Sequence, residues 1–286
     1  MTKLSEHQKG LLYVALAALL WSSGGLLIKL ITFNAMQISF FRCAFAALTF
    51  LIVFKSQILK ANVFTLVNSC FYAFVLILYV LAMKNTTAAN AIFLQSTAPI
   101  YVLIFEPIIS KTKYEKINIL SVAVVFIGMI LFFVGKISAD HLAGNIFALL
   151  AGIFFAALFL GLKKNKPEYQ LSSIFYGNII VAVVCLPFLS GIENISFSNL
   201  WMVVFLGVFQ IALAYTLFSF GLRKILAVEA SIISLIEPVL NPIWVFIGYG
   251  EIPSIMAIIG GIIILNAIAV RTLIVGKPLL KERLRL

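Results

Sequence analysis

The segment AIFLQSTAP at residues 91–99 returns as ASIISLIEP at residues 230–238, 139 positions later. Both segments begin with alanine, end with proline and lie inside longer apolar stretches. An earlier region shows the same relation, because residues 10–29 align with residues 144–163 at an offset of 134. The two offsets indicate a unit that occurs twice, with a few residues gained within the second copy.

Apolar stretches of membrane-spanning length fill the chain between residues 11 and 274. The 286 residues are 63% hydrophobic and 11% charged, which is more apolar than an ordinary soluble domain. A bilayer requires about 20 apolar residues per helix, and none of the stretches alternates as a membrane β-strand would. We therefore predict an all-α integral membrane protein with ten transmembrane helices, near residues 11–31, 35–54, 62–83, 87–110, 117–135, 143–162, 170–190, 199–221, 227–249 and 252–274.

The basic residues predict how the chain is oriented. With the N-terminus in the cytoplasm, all but four of the 21 lysines and arginines lie inside, as the positive-inside rule requires. The exceptions are Lys29, Lys84 and Lys136 outside, and Arg42 within a span. This pattern accounts for the net charge of +11 without a nucleic-acid partner. We expect a multi-pass protein of the cytoplasmic membrane, with residues 1–10 and a basic tail at residues 275–286 in the cytoplasm.

Each repeat contains five helices, over residues 11–136 and 142–274. Because five is odd, the second repeat enters the membrane from the opposite face, so the sequence predicts two inverted five-helix repeats. This architecture is typical of alternating-access transporters, whose binding site lies near the midplane between the repeats.

Several short motifs resemble the bacterial EamA family of the drug/metabolite transporter (DMT) superfamily. In the first half these are Trp21-Ser22-Ser23-Gly24, Arg42 and residues 91–99; in the second half they are AVEAS at 227–231, LIEPV at 235–239 and Gly250-Glu251. The resemblance spans nearly the whole chain, although the first half has Ser110-Lys111-Thr112 where a second Gly-Glu is expected. It implies two EamA domains and the export of amino acids and related metabolites.

Glu237 is the most informative polar residue inside the predicted spans. At 1.5 Å per residue it lies about 15 Å along the ninth helix, near the bilayer centre, where a carboxyl group could exchange protons. Pro238 and Pro242 each remove a helix hydrogen bond, so we expect a hinge there, with a second hinge at Pro99 in the fourth helix. The structural alternative is a protonated Glu237 bonded to a neighbour and prolines that only set packing kinks.

Arg42 lies about 10 Å inside the second span, where it either binds a substrate carboxylate or extends to the outer interface. Glu106 and Glu229 are expected at the cytoplasmic interface without a binding role. Further candidates for the substrate-binding cavity are polar or aromatic residues within spans, each of which could equally be packing: Trp21, Tyr72, Tyr79, Gln95, Ser96, Pro99, Phe155, Gln210, Tyr215 and Asn241.

The sequence favours a secondary-active or facilitative transporter of small metabolites over an enzyme. A phosphate-binding loop is absent from the sequence, so transport would be driven by a gradient, either of protons acting through Glu237 or of the substrate with no coupling ion at all. We expect no cofactor and no metal, since the two histidines do not lie at ligand spacing. The alternatives are an intramembrane enzyme acting on lipid or polyisoprenoid substrates, a metabolite importer of the same fold, and a membrane scaffold. The expected partners are a small-molecule substrate and membrane lipid, and the oligomeric state is open.

Overall fold

The computed structural model describes residues 4–111, 113–135, 140–190, 192, 196–249, 252 and 254–275, except the side chains of residues 242, 245, 249 and 275. Within these ranges all regular structure is helical. Ten spans are long and apolar enough to cross a membrane, which confirms the predicted number. They comprise span 1, α1 (Glu6–Trp21) and α2 (Gly24–Leu30); span 2, α3 (Ala35–Phe54); span 3, α4 (Val63–Asn85); span 4, α5 (Ala88–Gln95) and α6 (Ala98–Ser110); span 5, α7 (Lys116–Phe133); span 6, α8 (Leu142–Lys164); span 7, α9 (Pro167–Cys185); span 8, α10 (Phe197–Phe205), a π-helix (Leu206–Leu213) and α11 (Ala214–Leu222); span 9, α12 (Ala227–Ser234) and α13 (Ile236–Tyr249); and span 10, α14 (Ile255–Val275).

Span 1 begins five residues earlier than the apolar pattern predicted. The Ser5 hydroxyl accepts a hydrogen bond from the Gln8 backbone at 3.2 Å, and the Gln8 side chain accepts one from the Ser5 backbone at 2.9 Å. This reciprocal capping satisfies two backbone donors and carries the helix into the polar segment. Because the number of spans is even, Glu6 and Val275 lie at the same end of the bundle, here named the terminal end; the other is named the opposite end.

Several spans are interrupted near their middle. Span 4 breaks at Ser96–Thr97 and span 9 at Leu235. Pro99 and Pro238 follow these breaks, each in the first turn of the next helix, where a missing N–H costs no helix hydrogen bond. Pro242 lies within α13, but its side chain is outside the described residues. A hinge function for the three prolines stays a prediction.

Span 1 breaks without proline, at Ser22–Ser23. The hydroxyl of Ser22 donates to the carbonyl of Leu19 at 2.6 Å, and that of Ser23 donates to Leu20 at 2.8 Å. Serine hydroxyls that bond to nearby carbonyls compete with the helical ladder. The break was not predicted from the sequence.

Glycines mark equivalent close contacts between the two halves. A Cβ on Gly10 would lie 2.7 Å from Ile225 and 2.8 Å from Lys224, where span 1 meets the end of span 8. A Cβ on Gly144 would lie 2.6 Å from Asn85, where span 6 meets the end of span 3. The alignment pairs Gly10 with Gly144 and Lys224 with Asn85, so the two contacts correspond to each other.

Lysines close the end of each half by bonding to helix carbonyls. At the opposite end, Lys29 donates to the carbonyl of Thr86 at 3.0 Å and Lys84 donates to that of Ile31 at 2.8 Å. At the terminal end, Lys163 donates to the carbonyls of Leu222 and Ile225 at 2.8 and 2.6 Å. A cation near the last carbonyls of a helix opposes the negative end of its dipole.

Gly260 and Gly261 provide a matched test of the crossing between spans 5 and 10. A Cβ on Gly260 would collide with the backbone nitrogen of Phe132 and lie 2.5 Å from the carbonyl oxygen of Gly128, whereas on Gly261 it would lie 3.3 Å from a methyl group of Val239. We expect Gly260→Ala to lower stability by roughly 1–3 kcal/mol and Gly261→Ala to be near neutral. Thermal unfolding in detergent measures both effects. Equal shifts of the unfolding temperature would contradict the close contact of Gly260 with span 5.

Candidate functional site

A cleft lies between the interrupted spans 4 and 9, with span 6 as its third wall. Gln95, Ser96 and Pro99 line it from span 4, Phe155 lines it from span 6, and Glu237 lines it from span 9. Its volume is about 20 Å³, which is enough for roughly one water molecule. A ligand larger than water does not fit in the cleft as it stands.

Glu237 places a carboxyl group in this cleft. It lies in the first turn of α13, where the helix dipole favours a negative charge. No hydrogen bond or ion pair joins the carboxyl group to another side chain in the described ranges, and its side chain is only partly buried. A carboxyl group without a partner in an apolar region is uncommon, which makes Glu237 a candidate ligand contact.

Aromatic rings from four spans form one wall beside the cleft. Trp21 contacts Phe155 at a centroid distance of 5.8 Å and Tyr215 at 4.9 Å. Tyr215 in turn contacts Tyr72 at 4.9 Å. Such rings bind apolar ligand parts and can also face a cation. The structure therefore brings together Trp21, Tyr72, Phe155 and Tyr215, which sequence analysis had named separately.

Arg42 is buried inside the bundle and does not extend to the outer interface. Its side chain is 1% exposed, and its Nη2 donates to the carbonyl of Leu76 at 3.1 Å, while its Nε has no partner in the described structure. Trp21 Nε1, the Tyr79 hydroxyl and Gln210 Oε1 are likewise buried without a described partner. Buried polar atoms without partners are uncommon and are candidate ligand contacts. Arg42, Tyr79 and Gln210 lie outside the lining of the cleft.

Asn241 is bonded to the break in span 1. Its Nδ2 donates to the carbonyl of Ser22 at 3.2 Å, and Trp244 Nε1 donates to the Ser22 hydroxyl at 2.7 Å. A Cβ on Gly25 would lie 2.5 Å from Asn241 Nδ2, so glycine is needed for this close approach. Asn241 thus links spans 1 and 9, and a role in substrate binding stays a prediction.

A buried ionic network at the terminal end was missed by sequence analysis. Arg271 and Glu229 are each 2% exposed, and Arg271 Nη1 donates to Glu229 Oε1 at 3.1 Å. Arg271 Nε also donates to Asn118 at 3.0 Å, and His7 Nε2 lies 3.0 Å from Glu229 Oε1. The partners are far apart in the sequence, so no local spacing signals them. Among the described residues, no group of three His, Cys, Asp or Glu could hold a metal ion.

Comparison with known proteins identifies the family. The model of the EamA-like transporter family matches residues 8–134 and again residues 142–273. An uncharacterized transporter of Archaeoglobus fulgidus is 24% identical over 258 residues, which cover 90% of this chain and 94% of that protein. Human solute carrier family 35 member G1 is 25% identical over 275 residues, which cover 86% of this chain and 73% of that protein.

The fold also matches a solved structure. The crystal structure of another protein superposes with a TM-score of 0.78 at 15% identity, over 92% of this chain and 96% of that chain. At this identity the match shows the fold alone. Ten apolar helices and a family match to most of the chain lead to one conclusion: this multi-pass membrane protein belongs to the EamA-like transporter family.

Proposed function

We propose that the protein moves small zwitterionic or amphipathic metabolites, foremost amino acids, out of the cell by alternating access. The observation that carries this proposal is the unpaired Glu237 carboxyl group in the cleft between the two interrupted spans. A carboxylate there can bind a substrate ammonium group. The Arg42 Nε has no described partner but lies outside the cleft lining, so it would bind a substrate carboxylate only after the spans separate. Aromatic rings of Trp21 and Phe155 lie beside the cleft for an apolar side group.

Two inverted repeats supply the moving parts of this mechanism. The corresponding contacts of Gly10 and Gly144 support them, because each joins the first helix of one half to the third helix of the other. A bond within each half also supports the repeats. Lys29 bonds to Thr86 in the first half, and the residues aligned with them in the second half, Lys163 and Ile225, bond to each other in the same way. Rocking of one half against the other would expose the cleft to each side in turn.

The proposed coupling ion is a proton. Glu237 would carry either a proton or the substrate ammonium group, since a second positive charge in the same apolar cleft is unfavourable. Competition between them would couple proton entry to substrate exit. In the proposed orientation the terminal end faces the cytoplasm, and the protein lies in the cytoplasmic membrane.

The first test is counterflow of labelled amino acids and related zwitterions in proteoliposomes. We expect saturable flux in the natural protein. Arg42→Gln should lower the affinity for zwitterions about 10- to 100-fold, because a charged hydrogen bond to the substrate carboxylate is lost. The matched control is an amine that differs from the zwitterion only in lacking the carboxylate. Arg42→Gln should change the transport of this amine little. Absence of flux for every zwitterion under any imposed gradient would refute the proposal.

A further inference from the structure

Glu106, which sequence analysis assigned no binding role, bonds to the start of another span. It lies near the end of α6 and is 5% exposed. Its Oε1 accepts from the backbone N–H of Ala227 at 2.7 Å, and its Oε2 accepts from that of Val228 at 2.8 Å. Both oxygens of the Glu106 carboxylate, in the first half, thus bond to the first turn of α12 in the second half.

The aligned helix start in the other half is capped from within. Helix α5 has Thr87 as its N-cap, and the Thr87 hydroxyl accepts from the Asn90 backbone at 3.1 Å. Leu226 aligns with Thr87 and has no side-chain acceptor. Within α12, Glu229 accepts only from the Leu226 backbone at 2.8 Å, so the N–H groups of Ala227 and Val228 depend on the Glu106 carboxylate from across the bundle. The aligned starts of α5 and α12 are therefore capped by different groups.

Further bonds between the halves converge on the same helix turn. Glu229, in the first turn of α12, contacts His7 of span 1 at 3.0 Å. Glu229 also bonds to Arg271 at 3.1 Å, and Arg271 bonds across the bundle to Asn118 of span 5 at 3.0 Å. Helix α12 carries Ser231 and Ser234 of the cleft wall and ends at the break before Glu237. Movement of its first turn would therefore widen the cleft.

We infer that Glu106 is the positioning residue that latches the terminal end of the cleft shut, and that access from this end requires its two bonds to α12 to break. This inference rests on the proposed transport function. The bonds are charge-assisted, so a glutamine that keeps the size of the side chain but not its charge weakens the closed arrangement. In the open arrangement water takes over the freed N–H groups of Ala227 and Val228.

Thiol labelling measures the latch without any substrate. In full-length protein with Cys43, Cys70 and Cys185 replaced by alanine, Ser234→Cys reports access to the cleft. A membrane-impermeant thiol reagent is applied from each side of the membrane in turn. We expect Glu106→Gln to raise the labelling rate from the terminal end about tenfold. The labelling rate from the opposite end should stay unchanged or fall. The matched control is Glu168→Gln, an exposed carboxylate at the same end.

A second variant separates latching from simple helix capping. Leu226→Thr gives α12 the hydroxyl cap that Thr87 gives α5. Added to Glu106→Gln, it should restore the thermal unfolding temperature while labelling from the terminal end stays fast. Labelling that Glu106→Gln leaves unchanged, or that Leu226→Thr returns to the natural rate, would overturn the inference. A lack of transport would refute the proposed function instead, since it does not affect the labelling rates.

Discussion

Glutamine in place of Glu237 is expected to lower saturable flux of an ammonium-bearing substrate about 10- to 100-fold, and the remaining flux should no longer respond to pH. The carboxyl group lies in the cleft without a partner among the described residues, so a substrate ammonium group or a proton is its available counterion. Loss of one charged hydrogen bond corresponds to a change of this size. Flux at two internal pH values in proteoliposomes measures both effects.

The control for this result is Glu168→Gln, which removes a carboxylate from an exposed position on α9. It should insert, fold and transport as the natural chain does. If Glu237→Gln retained both the natural flux and its pH dependence, Glu237 would be a structural residue. If flux fell but kept its pH dependence, the coupling proton would bind elsewhere.

Methionine in place of Arg271 is expected to cost about 3–5 kcal/mol of stability, because it leaves the buried Glu229 carboxylate without its guanidinium partner. Both side chains are 2% exposed, so water cannot readily take over the lost bonds. Asn118 Oδ1 also loses the guanidinium that bonds to it. Thermal or denaturant unfolding in detergent should show a large shift in the transition.

Two comparisons test the reason for this loss. Adding Glu229→Gln to Arg271→Met removes the stranded charge and should recover part of the stability. Lys224→Met breaks an ion pair to Glu6 near the surface of the terminal end and should change the transition little. A similar shift of the unfolding transition for Arg271→Met and Lys224→Met would show that burial of the network does not contribute to stability.

Helix number was predictable because the bilayer imposes a length on each apolar stretch, and the stretches here are separated by short polar segments. The breaks after Gln95 and before Ile236 lie where Pro99 and Pro238 favoured an interruption. The break at Ser22–Ser23 was not predicted, because serine is compatible with a helix and its competing bonds to carbonyls depend on local geometry. The π-helix in span 8 likewise has no sequence signal in this chain.

The candidate site was predictable in part. Depth along a helix indicated Glu237 and Arg42, but depth does not determine which face of a helix points inward. Glu106 and Glu229 therefore looked unremarkable near the end of their spans, although the structure buries both and bonds each of them to another span. Their partners lie in other spans, and such pairing follows only from three-dimensional packing.

The bonds of Lys29 and Lys84 to helix carbonyls bear on how the chain is made. In the proposed orientation these two lysines are translocated across the membrane, against the usual bias of charge. In the folded protein their ammonium groups lie against the ends of neighbouring helices, bonded to Thr86 and Ile31. Lysines on the cytoplasmic side would act early, by retaining loops during insertion, whereas Lys29 and Lys84 act late, by joining helices that are already inserted. Lysine thus serves topogenesis at the cytoplasmic face and assembly at both ends of the bundle, since Lys163 makes the same kind of bond at the terminal end.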